Sequence, residues 1–117
     1  MLHRRILNKN IYIFINQLSY RQMTEILNVL SAKVLEEAND IRSKFFCDDL
    51  GYIEAHQRLM VLRRIMKEFR WTPGLDREDC NVVEDALYQL DEMDVEIFDA
   101  HYKVAAYLRE LSKKEAA

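Results

Sequence analysis

Carboxylate side chains dominate one stretch of this 117-residue chain. Residues 76–99 hold ten acids and one base, Arg77, which gives the stretch a local formal charge of −9. Carboxylates at this density steer basic partners toward the surface, whereas they do not dictate a fold. The stretch therefore favours docking of a partner over catalysis.

Six of these acids fall on one side of a predicted helix. At about 100° per residue they lie opposite the apolar residues of the same segment. They are Glu84, Asp85, Asp91, Glu92, Glu96 and Asp99. Two interpretations stay open at this point. The face is either solvated or neutralised by bases of the same chain, or it is a functional surface that docks a protein with a basic or amphipathic surface or mimics the charge of nucleic acid.

Four bases precede the acidic stretch and are separated from it by the turn Thr72-Pro73-Gly74. This basic stripe consists of Arg63, Arg64, Lys67 and Arg70. With Trp71 beside it, and together with the N-terminal Arg4 and Arg5, the stripe could bind nucleic acid across a dimer, as a DNA-binding regulator does. Alternatively, it pairs with the acidic helix across the hairpin. The net charge of −3 makes nucleic acid the less favoured partner.

Two polar residues, Asp94 and His101, fall on the apolar side of the same predicted helix. They are seven residues apart, which is about 10 Å along a helix, so they cannot touch each other. Each needs a partner from another helix, because a buried charge without one is costly. Polar residues at such seam positions typically specify register or oligomeric state.

Signatures of enzyme active sites are missing from the sequence. It contains no glycine-rich phosphate loop, no HExxH and no GxSxG. A metal-dependent enzyme built on His56 and His101 is the least favoured hypothesis. We therefore predict no catalytic, cofactor or metal site. We expect a non-enzymatic interaction protein, such as a small regulator, inhibitor or chaperone-like adaptor of bacterial or phage type.

The composition predicts one all-α domain over residues 1–117. The chain is 50% apolar and 32% charged, and it has only two glycines and one proline. These are too few for the frequent turns of a β-rich fold. We expect an antiparallel bundle of three long helices plus a short apolar N-terminal helix. In that N-terminal segment the β-branched run at 11–15 keeps a strand, or an arm exchanged between subunits, open as the alternative.

Apolar residues spaced three or four apart predict the long helices. The first runs over about 20–46 and begins at a capping box of Ser19 and Gln22. The second follows a cap at Asp48 or Asp49 and ends at the proline-containing turn.

The third predicted helix begins near Asp76, with Asp79 completing a weak capping box, and runs to about residue 112. Its apolar register continues through Val104, Leu108 and Leu111. It is about 50 Å long against about 30 Å for the second helix. Its final turns therefore overhang unless the helix bends or pairs with another subunit.

The remaining sequence features concern redox state, location and assembly. Cys47 and Cys80 lack CxxC spacing, which favours two free thiols in a reducing cytoplasm, while a disulfide between them stays open. No secretory signal is visible, and no apolar run approaches the roughly 20 residues of a membrane helix. We expect a cytoplasmic protein with no membrane partner. The apolar N-terminal segment and the long final helix favour a homodimer.

Overall fold

The computed structural model describes residues 20–116. Three helices make up this part of the chain: α1 (Tyr20–Phe46), α2 (Tyr52–Arg70) and α3 (Arg77–Ala116). No strand occurs among these residues, so the all-α prediction is confirmed for them. The predicted N-terminal helix, its strand alternative and the capping residue Ser19 lie outside the described residues.

The direction of the helices follows from the ion pairs that join them. Arg63 of α2 pairs with Asp91 of α3, and Arg70, farther along α2, pairs with the earlier residue Glu84. Helices α2 and α3 therefore run antiparallel. Each of the three helices packs against both others. The apolar sides of all three helices consequently pack into one shared core.

Most of the core consists of apolar positions with helical spacing, and Leu50 from the loop 47–51 adds to it. Leu27, Leu59 and Ile97, one from each helix, have no solvent-exposed surface. Burial of one such side chain stabilises the fold by about 1.5–3 kcal/mol. The other buried apolar residues are Met23, Val34, Ala38, Ile41, Leu50, Ala55, Met66, Phe69, Val83, Ala86, Leu87 and Leu90. Leu30, Phe45 and Leu62 are half-buried at the edge of the core.

The turn between α1 and α2 differs from the prediction. Asp48 does not cap α2 but ends α1, with a φ of 62° in the left-handed region. Its N–H donates to the carbonyl of Phe45 at 3.1 Å, and the N–H of Asp49 donates to that of Lys44 at 2.8 Å. This is a Schellman motif, which satisfies the last carbonyls of α1. The N-cap of α2 is Gly51, and it makes no side-chain capping bond.

The turn between α2 and α3 agrees with the prediction. Gly74 has a φ of 86°, a conformation that glycine adopts without steric cost. The Asp76 carboxylate accepts a hydrogen bond of 2.7 Å from the N–H of Asp79. This bond satisfies one of the free N–H groups at the start of α3, so the predicted cap at Asp76 is confirmed.

Asp79 itself is the only buried charged side chain in the described part, with 1% of its surface exposed. Neither of its carboxylate oxygens has a hydrogen-bond partner there. Its place in the first turn of α3 is favourable for a negative charge, because the N-terminal end of the helix dipole is positive. A buried charge without hydrogen bonds nevertheless destabilises the fold.

Helix α3 is far longer than its neighbours. Its 40 residues extend about 60 Å, against about 28 Å for the 19 residues of α2. The predicted overhang is therefore confirmed. Val104, Leu108 and Leu111, which continue the apolar seam, are 58%, 57% and 38% exposed. Their exposure follows from the overhang, because α1 ends and α2 begins at the loop 47–51 and neither helix reaches them.

Candidate functional site

Two of the six predicted acids are neutralised where α3 meets α2. Arg70 Nε lies 2.8 Å from a carboxylate oxygen of Glu84. Arg63 Nε donates to Asp91 over the same distance of 2.8 Å. The antiparallel packing brings the end of the basic stripe beside the start of the acidic face. Here the structure favours the interpretation that bases of the same chain neutralise the face.

A third acid is neutralised where α3 meets α1. Arg42 donates two hydrogen bonds to Glu96, at 2.8 and 2.5 Å. These bonds hold the pKa of Glu96 below its ordinary value and raise the pKa of Arg42. The stabilisation is present at neutral pH and is lost as the pH falls through the lowered pKa of Glu96. It is small, about 0–1 kcal/mol, because both side chains are well exposed.

The other three acids make no ion pair within residues 20–116. Asp85, Glu92 and Asp99 lie seven residues apart and form what we call the acidic row. Asp85 accepts a hydrogen bond of 2.9 Å from Gln89. Glu92 accepts one from the hydroxyl of Tyr88, which raises the pKa of Tyr88. The acidic row thus keeps its formal charge of −3 exposed to solvent.

An apolar row runs beside the acidic row along α3. It consists of Tyr88, Val95 and Tyr102, which are 63%, 58% and 59% exposed and also seven residues apart. Seven residues are nearly two helical turns, so both rows run almost straight along the helix. The two rows together form what we call the outer face, which bears a shallow depression around Tyr88, Glu92 and Val95. The same seven-residue spacing of Tyr88, Val95 and Tyr102 is visible in the sequence and is the signal that identifies the apolar row.

The basic stripe is divided between paired and unpaired residues. Arg63 and Arg70 contact α3 carboxylates, and the Arg70 guanidinium also lies 5.6 Å from the centre of the Trp71 ring. Arg64 and Lys67 are exposed and have no ion pair in the part of the chain that the structure covers. The stripe therefore does not present its four charges together as a free basic surface.

Asp94 receives the partner that its position requires. Its carboxylate oxygen lies 2.7 Å from Nδ1 of His56 on α2. An ionised carboxylate only accepts hydrogen bonds, so Nδ1 is the donor. The contact therefore joins α2 and α3 through side chains.

His101 lies at the end of the bundle. Its ring stacks on that of Tyr52, with centroids 4.4 Å apart and an angle of 8° between the planes. Tyr52 also stacks, more loosely, on His56 at 6.0 Å. His101 is exposed, and the expected burial at this seam position is wrong because the loop 47–51 leaves α3 uncovered beyond it.

The remaining chemistry-bearing groups are dispersed. Within residues 20–116, no three His, Cys, Asp or Glu side chains are grouped as metal ligands would be. Cys47 and Cys80 are exposed and not bonded to each other. No helix of the described part has the length and hydropathy to cross a membrane. Comparisons with protein-family models, curated proteins and solved structures found no match for this chain.

Proposed function

We propose that this chain is a non-enzymatic protein–protein interaction module whose outer face docks a partner with a basic, amphipathic surface. The proposal depends on two rows that lie side by side on α3. The carboxylates of the acidic row make no ion pair within residues 20–116, and the apolar row consists of large exposed side chains. In mechanism the module occupies the basic surface of its partner, as a small regulator, inhibitor or adaptor does.

The two rows make different contributions to binding. The acidic row steers a basic partner during encounter, so the association rate is expected to fall with added salt. The apolar row supplies area that loses water on binding, and tyrosine is enriched in such interfaces. A partner helix with basic residues beside apolar ones at the same spacing fits both rows. A face that only contacts solvent does not require a row of large apolar side chains spaced seven residues apart.

DNA binding through the basic stripe is the alternative and has less support. Arg63 and Arg70 are held by carboxylates, and the acidic row lies on the neighbouring helix. Phosphate binding depends on clustered bases that are free to replace counterions. A mobility-shift assay with random duplex DNA at low salt tests the alternative, and retarded DNA would count against the acidic docking face.

The acidic row is tested by converting it to amides. We expect the variant Asp85→Asn, Glu92→Gln, Asp99→Asn to bind a synthetic lysine–leucine amphipathic helical peptide roughly tenfold more weakly, because three charge contacts of about 0.2–1 kcal/mol each are lost. Fluorescence anisotropy of the labelled peptide measures the affinity. Far-ultraviolet circular dichroism should show unchanged helicity, since these side chains are exposed.

A matched control distinguishes the effect of the acidic row on affinity from the effect of net charge alone. The triple variant Glu36→Gln, Glu37→Gln, Asp40→Asn changes the net charge equally but alters exposed acids of α1. We expect it to keep most of its affinity at physiological salt, where charges more than about 8 Å from the peptide are screened. Equal losses in the two triple variants would reject the acidic row as a docking site.

A further inference from the structure

The end of α3 presents an apolar seam that nothing covers in the described part of the chain. We call residues 103–116 the overhang. Val104, Leu108 and Leu111 continue the spacing that buries Leu90 and Ile97 nearer the start of the helix, yet they are 38–58% exposed. These residues thus have the spacing of core residues, but they lie beyond the loop 47–51.

The overhang lies at the opposite end of the described residues from the start of α1. Arg42 contacts Glu96 and Phe46 lies near Ala100, so α1 and α3 run parallel. Tyr20 is about 33 Å from Arg42 toward one end, and Leu108 is about 18 Å from Glu96 toward the other. Within residues 20–116, no helix therefore lies beside the seam of the overhang.

We propose that the overhang is the interface of a homodimer, in which two overhangs pack antiparallel and Leu108 of each copy contacts Leu111 of the other. Spacing that alternates between three and four residues is the same when it is read in either direction. One seam can therefore be its own partner about a two-fold axis, as the symmetry of most homodimers requires.

Charge complementarity favours a second copy of this chain as the occupant. The overhang holds four bases and two acids, and its two consecutive bases, Lys113 and Lys114, lie near its tip. Asp48 and Asp49 in the loop are exposed and have no ion pair within residues 20–116. Antiparallel packing brings the basic tip of one copy to the acidic loop of the other. This contact joins groups of opposite charge at both ends of the interface.

A concave corner at the base of the overhang provides space for that tip. It is formed where Phe46 and Leu50 approach Val104, and Asp48 also lines it. The tip of the second copy closes this corner and buries apolar surface of the loop together with the seam. The seam lies on the opposite side of α3 from the outer face, so both outer faces of the dimer stay open.

The dimer is tested by sedimentation velocity of the full chain over a range of concentrations. We expect a reversible monomer–dimer equilibrium, and we expect the variant Leu108→Asp, Leu111→Asp to raise the dissociation constant at least tenfold. These positions are exposed in one copy, so thermal unfolding of the diluted variant should match that of the wild type. Val95→Asp is the matched control, because Val95 is as exposed as Leu108 but lies on the outer face.

A charge exchange tests the antiparallel arrangement. Asp49→Lys and Lys114→Glu should each weaken self-association, whereas a mixture of the two variants should form heterodimers that restore both opposite-charge contacts. A wild-type chain that stays monomeric at all concentrations overturns the proposal. A dimer that the double aspartate variant leaves intact, or that Val95→Asp disrupts to the same extent, also overturns it. The antiparallel arrangement is rejected if the two charge variants form heterodimers no more readily than homodimers.

Discussion

Replacing Leu59 by alanine is expected to lower the free energy of unfolding by about 2–5 kcal/mol. Leu59 has no exposed surface and lies on the α2 seam between α1 and α3. Truncation there removes buried methyl groups and leaves a cavity that the surrounding helices fill only in part. Urea denaturation followed by circular dichroism measures the loss.

Val61 on the same helix is the control for this substitution. It is 53% exposed, so Val61→Ala should change the free energy of unfolding by no more than about 0.5 kcal/mol. Similar small effects of the two substitutions would mean that the seam of α2 does not face the core.

Replacing Asp79 by asparagine is expected to raise the free energy of unfolding at pH 7 by about 1–2 kcal/mol. Asparagine has nearly the same shape but no charge, and an uncompensated buried charge costs more than about 1–3 kcal/mol. Part of the gain is offset, because the negative charge near the start of α3 is worth about 0.3–1 kcal/mol with the helix dipole. Chemical denaturation of both proteins in one buffer measures the difference.

Glu78→Gln isolates the dipole contribution. Glu78 is an exposed acid in the same first turn of α3, so its neutralisation should destabilise the protein slightly. The two substitutions are therefore expected to have opposite signs. Destabilisation by Asp79→Asn would contradict the conclusion that this carboxylate is buried without a compensating partner among residues 20–116.

The helices and their seams could be predicted because they depend on local periodicity. The ranges of α1 and α2 and the cap at Asp76 follow from apolar spacing, proline and a short polar side chain. The role of Asp48 could not be assigned in the same way, because aspartate suits both an N-cap and a left-handed helix end. The backbone hydrogen bonds at the end of α1 and the position of the N-cap at Gly51 decide between these roles.

Which of the six acids form ion pairs could be learned only from the three-dimensional arrangement of the helices. All six acids fall on the arc opposite the apolar seam in the sequence, yet the packing of α3 against its neighbours places three of them beside bases. The pair of Arg42 and Glu96 joins residues 54 positions apart, and no local pattern predicts it. His101 became exposed for a related reason, since its burial depends on where α1 and α2 end rather than on the register of α3.

The central claim is that the outer face of α3 recognises a basic amphipathic surface. Its most direct test is an NMR titration of the isotope-labelled chain with the lysine–leucine helical peptide. We predict that the largest amide shifts cluster around Asp85, Glu92 and Asp99, together with the apolar row between them. Shifts centred on Arg64 and Lys67, or no shifts at peptide excess, would contradict the account.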